Sequence, residues 1–144
     1  MTPEQQAALR QAARSNPACA DALDVRDCDA IAALLSPGRM RANGREIGYG
    51  VILETIGIDA GNQLIDFIQA QPALRHVVQL LANGWLSIGS PLAQGALRSF
   101  GPDAISPANA EALCALGLEP DPYTAQQVAA ALYNPDGSDK PWQQ

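Results

Sequence analysis

His76 is the one histidine in the chain, so any imidazole chemistry would have to be built around it. A hydrolytic triad needs a nucleophile and an orienting acid within hydrogen-bond reach of that ring. Ser87, Ser90 and Ser99 are near in sequence, but none stands in the GxSxG pattern that lifts a serine onto a sharp strand-to-helix turn. Arg75 precedes His76 and two valines follow it, the setting of a residue at the boundary of an amphipathic helix. Two acid pairs have the residue types for acid–base work, Glu46 with Glu54 and Asp59 with Asp66. Asp59, however, is placed to cap a helix, which would leave Asp66 in solvent. Cys19, Cys28 and Cys114 have neither the even count of a disulfide framework nor the spacing of a zinc site, and are expected as buried free thiols. Asp136 to Asp139 lack the closing glutamate of a calcium loop. These residues predict a protein that is not an enzyme and has no cofactor or metal.

The other chemically distinctive segment is SPGRMRANGREIGYG, residues 36–50, which holds four glycines and three of the nine cations. Arg39, Arg41 and Arg45 are suited to bidentate contacts with carboxylates of a partner or with phosphate, and Tyr49 to anchoring a partner contact. Asn43-Gly44 is a hairpin turn signal, so the segment is expected as a β-like hairpin arm, contacting a partner or simply solvated. Its glycines match neither a P-loop nor a dinucleotide fingerprint.

The rest must position that arm. The apolar 47% of the 144 residues is mostly Ala and Leu with few aromatics, which favours closely packed helices around a single core. A net charge of −6 argues against nucleic acid or an anionic membrane surface as partner. No apolar run is long enough for a signal peptide or a membrane span, so a soluble protein made in a reducing cytoplasm is expected.

Helix starts are written at Thr2-Pro3 with Gln5, Asn16-Pro17, Ser90-Pro91, Ser106-Pro107, and Thr124 with Gln127. Stops follow at Gly57, Gly84, Gly101 and Gly117. The predicted fold is all-α, a compact bundle of about seven or eight short helices carrying the hairpin arm. Residues 1–133 form one helical domain and 134–144 an extended C-terminal tail bearing Trp142, a candidate partner contact. Apolar spacing places Ile52, Leu64, Ile68, Leu80, Leu81, Leu113 and Val128 in the core, and Trp85 as a hydrophobic plug.

MTPEQQAALRQAAR, EIGYGVILETIG and EALCALGLEPDPYTAQQVAAAL together resemble short proteins of tailed bacteriophages and prophages of GC-rich bacteria. The resemblance implies a virion component of capsid, neck or tail, located in the particle and contacting other virion proteins or copies of itself, with no small-molecule substrate. It transfers no functional residue. The alternative is a small acidic regulator or inhibitor that binds a basic host protein.

Overall fold

A computed structural model describes residues 1–141. Among these the chain is helix-rich, with two small two-stranded antiparallel sheets, and it divides into two compact units. Among the described residues, one comprises Met1–Met40 together with 120–141; the other is Arg41–Glu119. In place of the single expected core there are two apolar clusters.

The first unit contains α1 (Pro3–Ser15), α2 (Ala20–Asp24), α3 (Cys28–Leu35) and α9 (Ala125–Leu132). The sequence starts act as written: Thr2 and Thr124 each close a reciprocal capping box, and the Asn16 side chain accepts from Ala18 N. Leu9, Ala13, Ile31, Val128 and Leu132 fill the core, small residues letting α1 and α9 pack closely.

The expected extended tail is a folded turn as far as it is described. Tyr133 and Asp139 form a β-bridge, Asn134 N donates to Ser138 O, and Lys140 N to Leu132 O. The reason is the C-terminus of α9, whose last carbonyls need donors. Tyr133 N serves Ala129 O, Lys140 Nζ serves Ala130 O at 2.6 Å, and Arg10 Nη1 serves Ala131 O at 2.7 Å. Arg10 is fully buried, and its Nε and Nη2 have no partner among the described residues. Trp142 lies outside the described residues.

The second unit holds α4 (Tyr49–Ile56), α5 (Ile58–Ala70), α6 (Arg75–Asn83), α7 (Pro91–Ser99) and α8 (Pro107–Leu116). Ser90 and Ser106 cap α7 and α8 through side-chain oxygens, as expected. Asp59 does not cap α5: Gly57 is the residue before the helix, and Asp59 sits in the first turn, where a negative charge suits the helix dipole.

The expected hairpin is not formed. Met40–Ala42 (β1) pairs with Leu118–Pro120 (β4), and Glu46–Ile47 (β2) pairs with Leu86–Ser87 (β3). Asn43 explains why its turn does not join β1 to β2. Its N–H bonds to Gly117 O, its Nδ2 donates to Leu116 O, and its Oδ1 accepts from Arg45 N. The segment is therefore tied to the end of α8, and each flank pairs with a distant strand.

Gly117 ends α8 as expected, but with an ordinary φ of −94° in place of a left-handed one. Its requirement is steric: a Cβ there would lie 2.3 Å from Gly89 N, and one at Gly89 would lie 2.3 Å from Gly117 O. The two glycines bring the connector after β3 against the end of α8.

Candidate interaction groove

Two of the three arm arginines are held by acids of their own chain. The Arg39 guanidinium stacks 3.6 Å from the centre of the Tyr123 ring, donates to Asp121 O at 2.8 Å, and reaches Asp121 Oδ2 at 3.4 Å. Arg41 Nε donates to Glu119 Oε1 at 2.8 Å. Arg39 and Arg41 thus alternate along one strand segment against Glu119 and Asp121 on the other, a cross-strand charge match. Arg45 is exposed, and no ion pair engages its side chain among the described residues. The Tyr49 hydroxyl donates to Val78 O at 3.5 Å and accepts from Gln69 at 3.4 Å, with its ring packed on the second core. Arg39, Arg41 and Tyr49 are therefore engaged in internal contacts, and among the described residues Arg45 is the arm cation whose side chain makes no ion pair.

The residues with catalytic potential are also dispersed. His76, Asp59 and Asp66 are exposed, while burial pushes the thiols of Cys19 and Cys114 above their ordinary value. Both are thereby held as thiols, the less nucleophilic form. Among the described residues no group of His, Cys, Asp or Glu is placed to hold a metal, and no helix is long and apolar enough to cross a membrane.

What the second unit does present is an apolar groove of about 490 Å³ between α6 and α7. Its floor is Ile52, Leu64, Ile68 and Leu113. Leu74, Val77 and Leu81 form one wall, and Ala93, Ala96 and Phe100 the other. Among the described residues, the polar groups that line it are the hydroxyls of Ser87 and Ser90 and the indole N–H of Trp85. The rim consists of Leu80, Trp85 and Leu92, of which Trp85 is 62% and Leu92 85% exposed.

Local sequence builds this opening. Gly84 takes the left-handed conformation after α6, and Trp85 N bonds back to Leu80 O at 2.8 Å, closing the helix. That reversal sends the indole outward to the rim, where the sequence led us to expect a buried plug. Leu80, expected in the core, shares the rim at 38% exposure. At the far end of α7, Phe100 packs on Phe67 of α5 with ring centres 5.1 Å apart and ring planes tilted by 55°. Gly48 allows the start of α4 to approach the end of α6, since a Cβ there would meet Leu81 O at 2.8 Å.

Gln94, nearly fully buried on α7, fixes the other wall. Its Nε2 donates to Ile88 O at 3.0 Å and to Cys114 O at 2.8 Å, joining α7 to the connector and to α8. Sequence reasoning missed it because a glutamine between Ala93 and Gly95 reads as a solvent position.

The charge pattern around the groove is unusual for this chain. From Phe67 to Pro102, which covers both walls and the rim, there is no Asp or Glu, although the chain has fifteen acids. Arg75 and Arg98 lie in that span; Arg98 makes a two-point contact with Glu111, which holds that carboxyl below its ordinary value. Glu46 is the nearest acid along the sheet, opposite Ser87 in β2 and β3. No protein-family model, curated protein or solved structure matches the chain.

Proposed function

We propose that this chain is a non-enzymatic interaction protein that engages a protein partner through the groove between α6 and α7. The observation that carries this reading is the rim: two large apolar side chains, Trp85 and Leu92, stand mostly in water above a continuous aliphatic floor. Such anchors gain most of their free energy when a partner removes them from solvent. The working surface is therefore the groove, with Arg45 as an accessory cation, and the internal pairing of Arg39 and Arg41 removes the reason for placing it on the arm.

The sequence resemblance supplies the setting, a subunit of a bacteriophage particle that contacts other virion proteins or copies of itself. The test is mass spectrometry of purified particles that carry the wild-type chain, Trp85→Glu or Leu92→Glu. Both substitutions fall on exposed positions, so circular dichroism should show folded protein while incorporation falls. Equal incorporation of both variants would overturn the groove as the contact. Absence of the wild-type chain from particles would overturn the setting and direct attention to a host protein as partner.

A further inference from the structure

Arg26 stands where a glycine is usual. At the end of α2, Arg26 N donates to Leu23 O at 3.2 Å and Asp27 N to Ala22 O at 2.9 Å, the pair of bonds that closes a helix through a left-handed residue. That residue is Arg26, with a φ of 55°, and among the described residues no other non-glycine has a positive φ. A side chain is disfavoured in this conformation, whereas glycine adopts it freely. The guanidinium supplies the reason for arginine. Its Nη1 donates to Gly137 O, its Nη2 lies 3.3 Å from Asp139 Oδ1, and its carbon rests 4.6 Å from the centre of the Tyr133 ring.

All three contacts fall on the turn that follows α9. We infer that residues 134–140 form a strap that opens as one unit while the helices stay folded, and that Arg26 is the latch that holds it shut. Residues 135–139 are all exposed, so burial of apolar side chains does not hold the strap. Asn134 N to Ser138 O, Gly137 N to Asn134 O and Ser138 to the Asp136 carboxylate are bonds within it. Its far end is tied by hydrogen bonds, from Lys140 N to Leu132 O and from Lys140 Nζ to Ala130 O. Segments with few buried apolar contacts and solvent-exposed backbone bonds open at a lower free energy than the whole fold. Backbone strain kept at one residue, beside the contacts that offset it, marks the point of control. Opening gives access to a cavity of about 500 Å³ walled by Leu23 and Leu132 on the helices and by Asp139, Lys140 and Pro141. It also frees the Tyr133 hydroxyl, which is buried without a hydrogen-bond partner among the described residues.

The experiment is amide hydrogen exchange of the full chain, read residue by residue by NMR. In the wild-type chain the amides of Asn134, Gly137 and Lys140 should share one opening equilibrium and exchange faster than the amides of α9. Arg26→Gly keeps the left-handed turn and removes the latch. The three strap amides should then exchange about tenfold faster, with α9 exchange and the urea midpoint changed far less. Asp139→Asn cuts the ion pair from the strap side, leaves the turn untouched, and should accelerate the same three amides. Strap amides that exchange in step with α9 in the wild-type chain place the segment in the cooperative unit of the helices and overturn the inference. So does Arg26→Gly if it leaves strap exchange unchanged, or if it speeds α9 exchange as much as that of the strap. Should Arg26→Gly fail to fold, unchanged strap exchange in Asp139→Asn is the refuting result.

Discussion

Replacing Gln94 by leucine keeps the volume of a buried side chain and removes both of its hydrogen bonds. The amide Nε2 reaches Ile88 O at 3.0 Å and Cys114 O at 2.8 Å, in a residue only 6% exposed. Cys114 O retains a bond from Gly117 N, so the loss there is that of one ordinary hydrogen bond, about 1 kcal/mol. Ile88 O has no other donor among the described residues and would be left bare in the interior, at a cost of about 1–3 kcal/mol. Together Gln94→Leu should cost about 2–4 kcal/mol, or roughly 8–16 °C in Tm at about 4 °C per kcal/mol. Urea unfolding followed by circular dichroism measures the first quantity and a thermal scan the second. Gln94→Glu adds a sign test. Its carboxylate would face two carbonyl oxygens in a dry site, which raises its folded-state pKa above the unfolded value. Stability of that variant should therefore be greatest in acid and fall as pH rises through the folded pKa, opposite in sign to a paired surface carboxylate. A Gln94→Leu protein within about 0.5 kcal/mol of wild type, the level of an ordinary surface substitution, would refute the clamp.

Two further predictions concern glycine and acid. Gly117→Ala should lower stability by about 3 kcal/mol, because its Cβ meets backbone of Gly89 at 2.3 Å, while Gly95→Ala, exposed in α7 with open space around it, should raise stability by about 0.5–1 kcal/mol; denaturant midpoints decide both. Asp136 accepts from Ser138 N at 2.9 Å and from its hydroxyl at 2.6 Å, which holds its carboxyl below the ordinary value. Its contribution is complete above the unfolded pKa and is lost as pH falls through the lowered folded one. Urea titrations across the acid range should show this dependence in wild type and its loss in Asp136→Asn.

The punctuation of the helices was legible because it is local. Thr2, Asn16, Ser90, Ser106 and Thr124 cap the helices that their neighbours announce, each within three residues of its partner. The strand partners were not legible, since Asn43-Gly44 carries a turn signal while the donors and acceptors that capture Asn43 come from the end of α8. The groove was hidden for a related reason. Leu80 and Trp85 have core composition, and periodicity alone cannot tell an apolar face that is covered from one left open. Gln94 shows the converse, a polar residue drawn inside by two carbonyls remote in sequence.

The closure of α9 by residues from both ends of the chain imposes a timetable. Gln6 and Lys140, 134 positions apart, meet beside the last turn of that helix. Arg41–Glu119 is one uninterrupted stretch that can complete its own core as soon as it leaves the ribosome. The helices before it cannot, because Val128 and Leu132, which cover Leu9 and Ile31, have not yet been made. At about 5–20 residues per second, α1 to α3 wait roughly 4–16 s with an apolar face uncovered while the intervening stretch is synthesised. Over that interval the N-terminal segment is the part of the nascent chain most open to chaperones and to mispairing with its neighbours.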